Sequence, residues 1–165
     1  PVHNVTADEA DIEVRFGPGH FADRESVLLM HDEVTPACSP EYLAETGPLD
    51  GLATDEAMAR VRLIRTPLEP WRTWFKARGT TRGEPLAGSQ FDDLGLAYDA
   101  AVAGFGVTLM RLRLGSAWLE GGRLVRLSNE SVRSPHSYFL CWKPGALERW
   151  ECAAFVDWLR QELQA

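Results

Sequence analysis

Apolar and polar positions follow distinct rhythms along the chain, and each rhythm predicts a different element. Over residues 11–16, Ile12, Val14 and Phe16 alternate with charged neighbours, the period of a half-buried strand. Gly17-Pro18-Gly19 ends it. Residues 26–39 are apolar except at His31-Asp32-Glu33, which predicts two short strands bending into each other. Ser39 is placed to cap a helix that begins at Pro40 and breaks at Gly47-Pro48. Residues 50–59 read as a short helix, 61–64 as a strand, and 70–78 as a helix with Trp71, Trp74 and Phe75 on one face. Aromatics at that spacing predict a packed face, not a stacking platform. A polar loop over 80–88 follows.

Residues 90–127 form the most organised stretch. Asp92 or Asp93 can cap a helix carrying Leu94, Ala97, Ala101 and Phe105 at helical spacing, with Gly104 and Gly106 ending it. Residues 107–110 are a short apolar run suited to a buried strand. A second helix carries Leu114, Ala117 and Trp118, Gly121-Gly122 stops it, and residues 123–127 alternate as a strand. Such alternation of strands and helices argues for an α/β layered fold. After a polar connector over 128–135, residues 136–143 form an aromatic-rich strand. The last helix, 146–164, places Cys152, Phe155, Val156, Leu159 and Leu163 on one stripe. The polar opening, residues 1–9, leads into the first strand so abruptly that the chain reads as the middle of a domain.

Composition narrows the function classes. The 165 residues suffice for one domain or two small lobes with a real core. A formal net charge of -7 argues against direct binding of a phosphate backbone, which depends on Lys and Arg. The chain has no apolar run of membrane-spanning length and no signal segment, so a cytoplasmic setting is expected. Cys38, Cys141 and Cys152 lie in apolar runs without C-x-x-C spacing, which predicts buried, reduced thiols.

Catalytic and metal motifs are not found. The four histidines have no ligand spacing, no serine sits in a G-x-S-x-G elbow, and neither a metal nor a cofactor is expected. Gly104-Phe105-Gly106 leaves a helix and enters a strand, the reverse of a phosphate-cradling turn. Asp92 and Asp93 need no catalytic role if they cap a helix. A binding reading remains, because ligands in open α/β folds collect at strand carboxyl ends and helix N-termini. The candidates are Arg15-Phe16-Gly17, Ser39, Arg65-Thr66 and Asp92-Asp93.

Several stretches, in order, resemble the effector-binding domain of LysR-type transcriptional regulators, in particular the glycine-cleavage and β-lactamase regulators. They are ADIEVRFGPG, VTPACSPEYLA, the W-x-x-W-F helix, FDDLGLAYDAAVAGFGVTLM, LEGGRLVRL, SYFLCWKPG and AAFVDWL. The resemblance implies an α/β, type II periplasmic-binding-protein-like fold of two lobes with a small-molecule effector between them. Lobe I would be partial, about 1–25 and 134–165, and lobe II about 26–133. The crossings would lie near 28–34 and 135–141. The family's opening strand–helix–strand and its DNA-binding winged helix-turn-helix have no counterpart here. That implies a fragment with an incomplete first lobe, contact with DNA only through the absent part, and self-association as a homo-oligomer through exposed apolar surface and an open sheet edge.

By position, the effector-facing residues would be Arg15, Phe16, Gly17, Asp92, Asp93 and Tyr138. The two aspartates place negative charge where a helix N-terminus would otherwise attract an anion. That end of the cleft is therefore expected to disfavour a ligand carboxylate and favour an amino or hydroxyl group. A solute-binding protein of the same fold and, more remotely, a small α/β enzyme are the alternatives.

Overall fold

The computed structural model describes residues 11–164; the polar opening, residues 1–9, lies outside them. In chain order the strands are β1 (Ile12–Gly17), β2 (Glu25–Met30), β3 (Glu33–Cys38), β4 (Thr108–Arg111), β5 (Val125–Arg126), β6 (Val132–Arg133) and β7 (Ser137–Trp142). The α-helices are α1 (Pro40–Thr46), α2 (Asp55–Ala59), α3 (Arg72–Ala77), α4 (Leu94–Val102), α5 (Ser116–Glu120) and α6 (Trp150–Gln164). They fall into two compact units. Residues 11–31 and 135–164 form one, and residues 32–134 form the other.

In the first unit β7 lies between β1 and β2 and pairs antiparallel with both. One face carries Ile12, Phe16, Val27, Tyr138, Leu140 and Trp142, which pack with Val156, Leu159 and Leu163 of α6. The other face carries Glu13, Arg15 and Cys141, one residue out of step, as the pleat requires. The β1–β2 turn covers it: Phe21 packs edge-on against Phe139 at 5.8 Å, and Arg24 Nε donates to Glu13 Oε1 at 3.2 Å. The stripe expected on the last helix is narrower than its sequence pattern. Phe155 is exposed, as are Trp150 and Trp158. A short 3-10 turn at Ala146–Glu148 precedes α6, so the expected single helix from 146 is two pieces.

The second unit is built on β3, which pairs antiparallel with β4, β5 and β6. Both faces of β3 are buried from Val34 to Cys38, and the polar Thr35 among them donates its hydroxyl to Glu130 O at 2.9 Å. Val34, Cys38 and Leu109 meet Tyr42, Ala57, Trp74 and Phe75 of α1–α3. Ala37 and Met110 meet Leu94, Ala97, Tyr98 and Ala101 of α4. Trp71, Trp74 and Phe75 are all core residues, as their spacing predicts. Burial pushes the Cys38 thiol up to about 11, so it stays protonated and unreactive at neutral pH.

Two local expectations change. Residues 50–59 are not one helix: Asp50–Leu52 is a turn with positive φ throughout, and α2 starts afresh after Thr54, whose Oγ1 accepts from Ala57 N at 3.1 Å. Residues 61–64 do not form a ladder. Leu63 makes one parallel bridge to Val107, and Arg65 one to Gln90. Pro67 has no N–H to extend the second pairing, and the segment after Gln90 turns directly into α4. Close backbone approach makes both bridges possible. A Cβ at Gly88 would lie 2.1 Å from Leu63 O, and one at Gly106 2.2 Å from Arg62 O. Phe105, counted on the α4 stripe from its spacing, lies beyond the helix and is exposed.

Candidate functional site

In the first unit three of the sequence-derived residues come together. Phe16 and Tyr138 are register partners, and so are Gly17 and Ser137, at the carboxyl end of β1. The Phe16 and Tyr138 rings stand 4.9 Å apart, and the His136 ring lies 5.8 Å from that of Phe16. His31 Nδ1 and Ser137 Oγ are hydrogen-bonded at 2.7 Å, and strand alternation turns Ser137 to the face opposite the Phe16 and Tyr138 rings. Arg15 is not part of the ring group. Strand alternation turns Arg15 to the opposite face, where it pairs with Glu13 at 2.6 Å, approaches Asp23 at 3.6 Å and stacks over the Phe21 ring. The spacing of the histidines along the sequence carried no signal, because His31 and Ser137 are brought together only by the strand pairing.

In the second unit Asp92 and Asp93 are exposed at the start of α4. Asp93 is the cap: its Oδ1 accepts from Leu96 N at 2.8 Å. Phe91 N donates to Arg65 O at 2.9 Å, which places the Arg65-Thr66 turn beside the two aspartates despite their separation in sequence. Ser39 lies elsewhere. β3 runs antiparallel to β4, whereas residues 63–65 run parallel to Val107 and Gln90. The carboxyl end of β3 therefore sits at the opposite edge of the sheet from Arg65 and Asp92. There Ser39 is buried, its Oγ accepting from Tyr42 N at 3.1 Å as the cap of α1.

At the same edge as Asp92, where the chain enters and leaves this unit, lies a set of buried charges that sequence reading missed. Asp32, Glu69, Arg111 and Ser134 are each no more than 3% exposed. Glu69 accepts from Arg111 Nε at 3.3 Å and Nη2 at 3.2 Å, and from Ser134 Oγ at 2.9 Å. Arg111 Nη2 also donates to Leu68 O at 2.9 Å. Asp32 accepts from the backbone N–H of Glu33 and Arg113 at 2.9 Å each and of Leu114 at 3.2 Å, and its carbonyl accepts from Ser134 N at 3.0 Å. Burial pushes the Glu69 carboxyl up, while the Arg111 charge and the Ser134 hydroxyl oppose that shift. The set ties the first and last residues of the unit to its interior. A hydropathy pattern assigns Glu69 and Arg111 to the surface, so only the fold exposes their partnership.

The cap makes a separable prediction. Asp93→Ala removes the acceptor for Leu96 N and is expected to lower stability by about 1 kcal/mol, whereas Asp93→Asn, an equally good cap, is expected to stay within a few tenths. Urea unfolding of the three chains checks this.

Among the described residues no helix is long and apolar enough to cross a membrane. The described residues form two compact α/β units joined by two chain crossings. The chain belongs to the LysR substrate binding domain family, whose match spans residues 1–164. It is 27% identical over 154 residues to the glycine cleavage system transcriptional activator of Escherichia coli K12, covering 93% of this chain and 50% of that protein. The HTH-type transcriptional activator AmpR of Pseudomonas aeruginosa is 28% identical over 165 residues, with 94% and 51% covered. The effector domain of that regulator superposes with a TM-score of 0.82 at 26% identity, covering 96% of this chain and 74% of that one. The AmpR effector-binding domain of Citrobacter freundii gives 0.81 at 23%, with 96% and 76% covered, and shows the same fold. The fold is the periplasmic-binding-protein-like α/β fold of LysR-type effector domains. The chain spans about half the length of the curated relatives it matches.

Proposed function

We propose that this chain senses a small molecule for a LysR-type transcription regulator whose DNA contacts lie in another part of the whole protein. The observation that carries this reading is the family match along residues 1–164, among relatives that are themselves transcriptional activators. The domain binds without catalysis, works in the cytoplasm, and acts in a whole protein that is a homo-oligomer. The candidate effector-facing residues are Phe16, Gly17 and Tyr138 within the first unit and, within the second, Asp92 and Asp93; Arg15, placed with them by position, faces the opposite side of its sheet and pairs with Glu13. The first group offers aromatic surface. The second offers two carboxylates at a helix start, which repel a ligand carboxylate and accept from a ligand amine or hydroxyl.

Thermal unfolding across a panel of amines, polyols, amino acids and simple carboxylates tests this. A ligand at a hundred times its Kd stabilises the domain by about 2.7 kcal/mol, a readily measured shift. Ligands with amino or hydroxyl donors are expected to raise the midpoint, and Asp93→Asn to weaken them while keeping the cap. Tight binding by carboxylates lacking any donor, with affinity unchanged in Asp93→Asn, would refute the charge preference.

A further inference from the structure

We infer that Glu69 is a proton-operated latch on the second chain crossing: ionised, it holds Ser134, and on taking up a proton in mild acid it releases that hold. Ser134 is the last residue of the 32–134 unit. Its N–H donates to Asp32 O at 3.0 Å, and its hydroxyl donates to Glu69 Oε1 at 2.9 Å. Pro135, which follows, has no N–H to add a further tie. Glu69 belongs to a turn far from Ser134 in sequence, closed by Glu69 N donating to Thr66 O at 3.3 Å and Leu68 N to Thr66 Oγ1 at 3.2 Å. The Ser134 hydroxyl thus joins the departing strand to that turn through a group that can change its charge.

The charge count favours proton uptake there. Among the described residues of this unit the buried charged ones are Asp32, Glu69 and Arg111, two carboxylates against one guanidinium. One negative charge is in excess where water does not screen it, and one proton removes that excess. The hydrogen bonds select where the proton goes. Asp32 accepts from three backbone N–H groups, which cannot turn into acceptors, whereas the hydroxyl at Glu69 can. Within Glu69, both guanidinium bonds run to Oε2, 3.3 Å from Nε and 3.2 Å from Nη2, so the proton settles on Oε1. There the new O–H and the Ser134 O–H point at each other. The hydroxyl must rotate, and its bond as donor to Glu69 is lost. Burial pushes the Glu69 carboxyl up, while Arg111, at the end of β4, and the Ser134 hydroxyl oppose that push and Asp32, ahead of β3, adds to it. The latch does not depend on the effector reading.

Carboxyl-carbon and amide NMR of the whole chain, from about pH 8 to about pH 5, tests this. The Ser134 amide signal is expected to shift with the same midpoint as the Glu69 carboxyl carbon. Its exchange with solvent, corrected for the pH dependence of an unprotected amide, is expected to quicken severalfold on the acid side. In Ser134→Ala the carboxylate loses a charge-assisted bond, so the Glu69 midpoint is expected to rise by about one pH unit. Glu69→Gln keeps an acceptor oxygen but takes up no proton, and there the Ser134 amide is expected to stay constant across the range. Ser134→Ala removes only a hydroxyl, so it decides the matter even where Glu69→Gln fails to fold. A Ser134 amide that stays put while Glu69 titrates overturns the proposal. So does a Ser134 response that persists in Glu69→Gln, or a Glu69 midpoint unmoved in Ser134→Ala. A Glu69 that takes up no proton before the chain unfolds overturns it as well.

Discussion

Arg111→Met is expected to destabilise the 32–134 unit by about 3–5 kcal/mol, because it strands the Glu69 carboxylate in the interior without its countercharge. The cost comes less from the lost attraction than from the desolvated charge left behind. The remedy differs accordingly. In Glu69→Met with Arg111→Met both charges are gone, and stability is expected to return most of the way, since buried pairs exchange for apolar side chains at little net cost. Urea unfolding of the two single variants and the double variant checks the cycle. The pH dependence has a definite sign. Glu69 has its folded-state pKa raised above the ordinary 4.5, so its contribution is fully present below that value and is lost as pH rises through the raised one. Removing Arg111 takes away a lowering influence and extends the loss to higher pH. The penalty of Arg111→Met is therefore expected to be smaller at pH 5 than at pH 8. Equal penalties at both would show that the Glu69 charge is not what is being stranded.

Trp74→Ala is expected to cost a comparable amount, about 3–5 kcal/mol, the usual range for a fully buried tryptophan. Its ring fills the core on the α1–α3 side of the sheet, and its Nε1 donates to Gly51 O at 2.9 Å. That carbonyl belongs to an unusual turn in which Asp50, Gly51 and Leu52 have φ of 48°, 62° and 63°. Left-handed conformations at Asp50 and Leu52 cost on the order of 1–2 kcal/mol each. Burial of Leu52 and the Trp74 hydrogen bond hold the turn in place. Trp74→Phe keeps most of the volume but leaves the Gly51 carbonyl unsatisfied, so a loss of about 1–3 kcal/mol is expected. Urea midpoints should rank the chains Trp74, Phe, Ala in falling order, and a Phe variant as poor as Ala would place the whole effect in the hydrogen bond.

Particular residues show where sequence reading reached its limit. Ser39-Pro40 announced α1, and Asp93 announced α4, because a cap acts on N–H groups only two or three residues ahead. The two strands on either side of the His31-Asp32 step were legible from a polar interruption in an apolar run, whereas their membership of different sheets was not. Phe155 and Val156 are neighbours in a stripe drawn from periodicity, yet only Val156 is buried, since the width of a covered face depends on what lies against it. Ser39 follows a strand as the other candidates do, but β3 is antiparallel to β4, so its carboxyl end lies away from them.

By itself, then, the sequence determined the alternation of strands and helices, the caps and breaks, the aromatic core helix and the family resemblance. All of these rest on local spacing or on the order of short motifs. Only the tertiary structure decided that Glu69, Arg111, Ser134 and Asp32 share one buried site, and that Phe16 and Tyr138 stand together while Arg15 turns away. These depend on strand direction, register and burial, which join residues up to more than a hundred positions apart, as in the 2.7 Å contact of His31 with Ser137. A charge acquires a structural role only when the fold removes the water around it, and no pattern along the chain records where that happens.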